Sequence, residues 1–258
     1  MLKHILLAIL AIATLAGCKK DPDDPKIDPN AEKGKLRIEF ESRAGNSALV
    51  LNDQTYATAS GDTVKITTFN YYVSNVVLIK KGGGEEALPK TYHLVKTGES
   101  ASRIVTLSDV PVGEYEGVKF VVGVDARRNT CSATDEWAGD CGAQDGALDP
   151  ANGMYWSWNS GYIFFKLEGF YAGDSVLQYH IGGSRDPHSA VVVATPDMKG
   201  KTFKVEAGKT PEVHFYADAL EIFKTLSPKT SPKIHMPGEK AAGAAAAYKS
   251  MFTLDHIH

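Results

Sequence analysis

The sequence predicts an all-β fold, an antiparallel β-sandwich in a single domain with a short C-terminal helical segment. Short apolar runs rich in β-branched and aromatic residues recur along the chain. Turn signals separate these runs at roughly 8–15-residue intervals. No long amphipathic helix lies between them, which argues against a parallel α/β sheet.

The first half of the chain supplies several strands. Residues 36–41 alternate apolar and charged side chains, the pattern of a half-buried strand. Residues 64–68 and 71–80 predict two more strands, with Asn70 near the turn between them. Three glycines place residues 81–86 in a hairpin tip or an exposed loop. The remaining strands predicted here are 91–95, 103–107 and 117–124. In the turn before the last of these, Gly113-Glu114-Tyr115 resembles sandwich corners, where the tyrosine packs under the bend.

The second half repeats this rhythm and ends with helical segments. An aromatic stretch, residues 153–169, is followed by predicted strands at 176–181, 190–194, 202–205 and 212–216. One or two helical turns are expected in residues 217–225, beside the last of these strands. Residues 240–251 are mostly alanine and predict a helix after Pro237-Gly238, with Tyr248 and Met251 on its inner face.

The N-terminus has the form of a lipoprotein leader. Lys3 precedes an apolar run at residues 5–15 that is too short to span a membrane as a helix, and Leu15-Ala16-Gly17-Cys18 resembles a lipobox. We expect residues 1–17 to be a signal peptide and Cys18 to carry a lipid anchor; the alternative is a buried N-terminal helix. Proline and charge then predict a flexible tether over residues 18–34. The folded domain is expected to span residues 35–258.

These features predict an outer-membrane lipoprotein of a Gram-negative bacterium, on the periplasmic side or at the surface. The remaining cysteines, Cys131 and Cys141, lie ten residues apart in a loop rich in glycine and aspartate. In an oxidising compartment a disulfide between them is expected. A thiolate copper site is the alternative, although the loop contains no histidine.

Composition excludes some functional classes. The net charge of −3 gives no electrostatic basis for binding nucleic acid. The chain contains no Gly-x-Ser-x-Gly elbow, no His-Glu-x-x-His and no glycine-rich phosphate loop. A serine–histidine–aspartate triad is not local in sequence, but nothing points to one. We therefore expect a protein that is not an enzyme.

The aromatic stretch is the most distinctive segment. It contains Trp156, Trp158, Tyr155 and Tyr162, and Asn159-Ser160-Gly161 interrupts it. A bend there would place the Trp-x-Trp end at a rim, where an indole can offer its N–H or its face to a ligand. The alternative is that these aromatic residues simply fill the core of a sandwich.

Several segments, taken in order, resemble one family. They are Asn70-Tyr71-Tyr72-Val73-Ser74-Asn75-Val76, Gly113-Glu114-Tyr115 with Phe120-Val121-Val122-Gly123-Val124-Asp125, Met154-Tyr155-Trp156-Ser157-Trp158-Asn159-Ser160-Gly161-Tyr162, Tyr179-His180-Ile181-Gly182, and the C-terminal Met251-Phe252-Thr253-Leu254-Asp255-His256-Ile257-His258. Together they resemble the MbnP-like copper-binding protein family, which is related to the MopE/CorA-type copper proteins. The resemblance spans residues 35–258.

The resemblance implies a secreted or surface copper-binding protein. In such relatives a tryptophan is oxidised to kynurenine and binds copper together with histidines, which implies a redox partner that modifies the tryptophan. Trp156 and Trp158 match the tryptophan motif, and His180 matches the later one. The chain departs from relatives that have a histidine beside the tryptophans, because Ser157 stands between them here.

Copper as a cofactor requires further ligands, and imidazole suits both of its oxidation states. His256 and His258, two apart near the C-terminus, would share one face of a strand and form a chelating pair, or would belong to a frayed tail. His180 could instead be a satisfied core histidine. The other histidines of the mature chain, His93, His188, His214 and His235, are expected to be structural or surface residues.

Two functions follow from these features. The first is a lipid-anchored copper-binding sandwich that stores, acquires or hands on copper, with His180, Trp156, Trp158, His256 and His258 as candidate metal residues. The second is a surface interaction module whose exposed aromatic side chains stack on sugars or dock a protein.

Overall fold

The computed structural model describes residues 30–130, 146–156 and 161–258. Strands dominate this part of the chain. They are β1 (Lys33–Ala44), β2 (Ser47–Ala48), β3 (Thr55–Ala57), β4 (Thr63–Lys80), β5 (Glu85–Ala87), β6 (Tyr92–Lys96), β7 (Ile104–Pro111), β8 (Gly113–Val122), β9 (Tyr155–Trp156), β10 (Gly161–Tyr171), β11 (Ser175–Gly182), β12 (Val192–Ala194), β13 (Phe203–Val205), β14 (Glu212–Asp218), β15 (Lys233–Ile234) and β16 (Phe252–Ile257).

The strands form two sheets. The smaller sheet has the order β16-β14-β1-β2, with β7 also paired to β1. The larger sheet has the order β12-β8-β4-β10-β11-β15, with β3, β5, β6, β9 and β13 attached to it. Most pairs are antiparallel, but β1 pairs with β14 and β11 pairs with β15 in parallel. The predicted all-β sandwich is confirmed, with these two parallel pairs as the departure from a purely antiparallel sheet.

Aromatic side chains join the inner faces of the two sheets. Phe40 of β1 lies 6.3 Å from Tyr71 of β4 and 5.4 Å from Phe120 of β8, measured between ring centroids. It also packs against Phe215 and Phe252 of its own sheet, at 6.1 Å and 5.7 Å. These contacts cross the interior of the sandwich, so they hold the sheets face to face.

One pair of predicted strands is a single strand. Residues 64–68 and 71–80 both lie in β4, and Asn70 is not at a turn but pairs with Lys166 of β10 and Lys96 of β6. Asn70 stands between the buried Phe69 and Tyr71, so its polarity reflects strand alternation and not a chain reversal.

The helical predictions had mixed outcomes. A first short helix, α1 (Ala126–Asn129), follows β8. The alanine-rich segment forms two short helices, α2 (Glu239–Ala245) and α3 (Tyr248–Met251). Tyr248 and Met251 are both buried, as their spacing predicts. The helix predicted at 217–225 is wrong in part: β14 continues to Asp218, and a short 3₁₀ helix follows at Glu221–Lys224. Within the described ranges no helix is both long and apolar enough to cross a membrane.

The predicted corner is present at the start of β8. Tyr115 is buried, and its hydroxyl donates a hydrogen bond to the carbonyl oxygen of Pro111 at 2.7 Å. This contact fastens the turn between β7 and β8. Several predictions concern residues outside the described ranges, namely the signal peptide, Cys18, Cys131, Cys141, Trp158 and all but the end of the tether.

Replacing Phe40 by alanine should strongly destabilise the domain. Phe40 is fully buried and contacts aromatic rings of both sheets, so the variant leaves a cavity between them. We expect a loss of about 3–5 kcal/mol in the free energy of unfolding, measured by urea denaturation of the full-length protein. Val50→Ala, at a more exposed position outside the strands, should change it by less than about 0.5 kcal/mol. Equal losses in the two variants would contradict the role assigned to Phe40.

Candidate metal centre

The described part of the aromatic motif lies at one end of the larger sheet. Trp156 of β9 pairs with Gly161 at the start of β10, and its side chain is only 5% exposed. Its ring packs over Gly182 of β11, where an added Cβ would stand 3.0 Å from the indole and 2.4 Å from the carbonyl oxygen of Tyr162. Glycine is therefore required at the end of the Tyr-His-Ile-Gly motif, because any larger residue would displace the indole or β10.

Neighbouring tyrosines complete this packing. The rings of Tyr155 and Tyr72 lie 5.1 Å and 5.7 Å from that of Tyr162, both edge-on. The Tyr72 and Tyr162 hydroxyls donate to the carbonyl oxygens of Ala147 and Leu148 at 2.8 Å and 3.1 Å. These aromatic residues therefore hold the segment after residue 146 against the sheet. This is the packing role that was the alternative to ligand binding in the sequence analysis.

His180 lies in β11, opposite Lys166 of β10. Its Nε2 is 2.6 Å from Oε1 of Glu168, a distance at which the imidazole N–H donates to the carboxylate. This hydrogen bond, reinforced by the charges of Lys166 and His180, outweighs partial burial and lowers the pKa of Glu168 to about 2. With Nε2 engaged, Nδ1 is the nitrogen of His180 that remains for a metal.

His180 and Trp156 lie on the same side of the larger sheet. Side chains two residues apart on a strand share a face, and His180 is two residues before the glycine that Trp156 covers. Tyr179 and Ile181, which alternate with His180, are fully buried. The imidazole therefore points away from the core, on the outer face of this sheet.

The other histidines of interest lie on the smaller sheet. In the pairing of β14 with β16, Phe215 is opposite Leu254 and His214 is opposite His256, with a register shift between them. Asp255 is the extra residue of this β-bulge, and a bulge re-aims side chains next to the regular pairs. Beyond it His258 is bonded through its backbone to Glu212, which closes the end of the strand pair.

These residues form one compact group. His214, Asp255 and His256 each offer a ligand atom, and the three atoms lie within 4.8 Å of one another. Nδ1 of His256 is 2.7 Å from Oδ2 of Asp255, and Nε2 of His256 is 2.8 Å from Nε2 of His258. In the described ranges this is the one group of three or more histidine, cysteine or acidic residues so arranged.

Carboxylates surround the group. His214 Nδ1 lies 3.4 Å from Asp255 Oδ2, while its Nε2 faces Glu39 and Glu41 at 3.9 Å and 3.8 Å. Desolvation would raise the pKa of Asp255, but hydrogen bonds with Tyr216 and His256 and the nearby imidazoles outweigh it and lower that pKa. The carboxylate is therefore held in its charged form, which can bind a cation.

The structure thus divides the metal residues proposed from the sequence. His180 and Trp156 lie on the larger sheet, and His256 and His258 lie on the smaller one. The sequence did not indicate His214 or Asp255, because only the pairing of β14 with β16 and its bulge bring them there. His188 lines a cavity of about 290 Å³ together with Trp156, and His235 is exposed.

The sequence profile of the MbnP family matches residues 33–236. The chain belongs to the MbnP family. A solved structure, MbnP from Methylosinus trichosporium, is similar to this chain, with 15% sequence identity, 76% of this chain and 79% of that chain covered, and a TM-score of 0.49. No protein with a curated description matches the sequence.

The MbnP match includes some of these residues and excludes others. Trp156, His180 and Glu168 lie inside residues 33–236, as does His214. The match ends before α2, so Asp255, His256 and His258 lie beyond it. The family resemblance therefore bears on the outer face of the larger sheet and not on the C-terminal histidines.

Replacing Glu168 by glutamine should change how stability depends on pH. Because the folded state lowers the pKa of Glu168 from 4.5 to about 2, its charged form stabilises the protein above pH 4.5, and this contribution is lost as the pH falls towards 2. We expect Glu168→Gln to lose about 1 kcal/mol of unfolding free energy at pH 7 and to show a shallower decline in acid. Urea unfolding over this pH range measures both effects.

Glu239→Gln is the control, since Glu239 is an exposed carboxylate at the start of α2. It should follow the wild-type pH dependence. If Glu168→Gln also followed it, the His180–Glu168 hydrogen bond would have no energetic role in the folded protein.

Proposed function

We propose that this protein is a lipid-anchored copper-binding protein of a Gram-negative cell envelope, which stores copper or hands it on. Membership of the MbnP family supports the proposal. The observation that carries it is the contact of His180 with Glu168 at 2.6 Å, on the sheet face that Trp156 covers. Histidines that bind metals almost always donate their other ring N–H to a carboxylate or a similar acceptor.

The residues present fit one part of a copper site. His180 would bind the ion through Nδ1, since Nε2 is held by Glu168. Copper accepts imidazole nitrogen in both of its common oxidation states. Trp156, buried over Gly182, would form a wall that limits the access of water to the ion. Trp158, two residues further on, stays a predicted member of this site.

The proposal includes the features expected from the leader and the motif. Cys18 would carry the lipid anchor, and a disulfide would join Cys131 and Cys141. A redox partner would oxidise Trp156 or Trp158. Copper storage or transfer requires no general base, in keeping with a protein that is not an enzyme.

The packing of Trp156 bears on the alternative function. An indole that stacks on sugars or anchors a partner has to present its face, but Trp156 as a whole is only 5% exposed and its ring lies over Gly182. Tyr155 is half-buried and packs edge-on against Tyr162. These contacts favour copper binding over a surface interaction module built on these two residues.

A competition titration tests the proposal. Cu(I) is added to full-length protein, purified in detergent, in the presence of a chromophoric Cu(I) chelator. Wild type should remove copper from the chelator, and His180→Ala should bind Cu(I) at least about 10–100-fold more weakly. Glu168→Gln should weaken binding less, because it removes only the residue that orients the imidazole.

His188→Ala is the matched control, since His188 is an exposed histidine near Trp156. Its Cu(I) affinity should equal that of wild type. Unchanged affinity in His180→Ala would remove His180 from the site. Mass spectrometry of the protein isolated from its native cells should show the mass change of kynurenine at one tryptophan.

A further inference from the structure

The outer face of the smaller sheet carries a group of imidazoles that the proposed copper site does not use. We propose that His214, Asp255 and His256, with His258 orienting the ring of His256, form a second, separate metal site, which binds a divalent ion of the Cu²⁺ or Zn²⁺ class. The proposal is independent of copper binding at His180.

The backbone sets up this group. His214 of β14 and His256 of β16 are directly opposite each other, next to the bulge at Asp255. Without the extra residue, the alternation after Leu254, which is buried, would turn His256 and His258 towards the core. The bulge instead places both on the outer face beside His214. An insertion that exposes two histidines is typical of the bulges found next to functional sites.

The distances suit ligands of one ion. Two nitrogens bound at about 2.0–2.1 Å and at a right angle are about 3 Å apart. Oδ2 of Asp255 is 2.7 Å from Nδ1 of His256 and 3.4 Å from Nδ1 of His214, so these three atoms can bind one ion. Nε2 of His256 faces the other way, 2.8 Å from Nε2 of His258, and this contact orients the ring of His256. The ring centroid of His256 is 4.7 Å from that of His214 and 4.4 Å from that of His258, so His256 lies between the other two imidazoles.

The second nitrogen of each ligand imidazole, His256 and His214, faces a further polar group. Nδ1 of His256 contacts Asp255, which leaves Nε2 to face His258. His214 is 9% exposed, and its Nε2 is buried with no hydrogen-bond partner among the described residues. That atom faces Glu39 and Glu41 at 3.9 Å and 3.8 Å. An ion at Nδ1 would make the Nε2–H a stronger donor to these carboxylates, which is the outer arrangement typical of metal-bound histidine.

The ligand types determine the class of ion. Imidazole nitrogen with one carboxylate suits Zn²⁺ and Cu²⁺, whereas Ca²⁺ and Mg²⁺ prefer oxygen ligands. Asp255 and Glu39 also place negative charge beside the imidazoles, which favours a divalent ion, while the charge of Glu41 is partly compensated by Arg43 at 3.0 Å.

This site is distinct from the face at His180. His214 alternates with Phe215, whose ring packs on Phe40 inside the sandwich, so His214 points to the outside of the smaller sheet. His180 points to the outside of the larger sheet. The two groups therefore lie on opposite outer faces of the sandwich.

The test compares metal binding by full-length variants in detergent. Zn²⁺ is titrated by calorimetry into wild type, the double variant His256→Gln/His258→Gln, His180→Ala and His235→Gln. We expect the double variant to lose one Zn²⁺ per chain, or to bind it at least about 100-fold more weakly. His180→Ala should keep that Zn²⁺, and so should His235→Gln, which replaces an exposed histidine outside the group.

A second measurement uses Cu²⁺ and does not depend on heat signals. The electron paramagnetic resonance spectrum of one equivalent of Cu²⁺ should show coupling to several imidazole nitrogens in wild type and to fewer in the double variant. Both substitutions are near the end of an edge strand, so thermal unfolding in excess chelator should be nearly the same as for wild type. Added Zn²⁺ should raise the melting temperature of wild type more than that of the double variant.

Equal Zn²⁺ stoichiometry and affinity in wild type and the double variant would overturn the proposal. The absence of Zn²⁺ and Cu²⁺ binding in wild type would also overturn it. Loss of Cu(I) binding in His180→Ala with Zn²⁺ binding intact would support two separate sites. Wild type that bound Zn²⁺ but not Cu(I) would contradict only the proposed copper function.

Discussion

The aromatic contact between the two sheets determines which side chains reach the outside. Phe40 packs on Tyr71 and Phe120 of the opposite sheet, and this fixes the inner face of every strand that it touches. Because side chains alternate along a strand, the neighbours of the inner residues must then face outwards. His214 faces outwards because its neighbour Phe215 is buried, and His180 faces outwards because Tyr179 and Ile181 are buried. The outward positions of His214 and His180 are therefore a consequence of core packing, whereas those of His256 and His258 also require the bulge at Asp255.

The sequence was informative wherever structure depends on neighbouring residues. Alternation in residues 36–41 predicted β1, and alanine content predicted the late helices. The spacing of His256 and His258 predicted a shared strand face. His214 and Asp255 could not be found in this way, because their position depends on a strand pair some forty residues apart in the chain and on a bulge. The turn predicted at Asn70 was wrong for a related reason, since a polar residue on the outer face of a long strand gives the same sequence signal as a turn.

The two histidine groups differ in their surroundings, and this suggests different chemistry. His180 is a single imidazole with one carboxylate, beside an indole that packs on glycine. The C-terminal group has three imidazoles with charged carboxylates around them. Imidazole suits copper in both groups, and the carboxylates at the C-terminal group additionally favour a divalent ion there. The family match covers the first group fully and the second only at His214.

The smaller sheet draws its strands from both ends of the domain. β1 and β2 come first in the chain, whereas β14 and β16 come last, and β14 pairs in parallel with β1. Sheets made from such distant segments form slowly, because closing a long loop costs conformational entropy before the strand contacts can stabilise the chain. During synthesis β1 cannot pair with β14 until residues 212–218 have been made. The smaller sheet is therefore completed late in the synthesis of the domain, after most strands of the larger sheet.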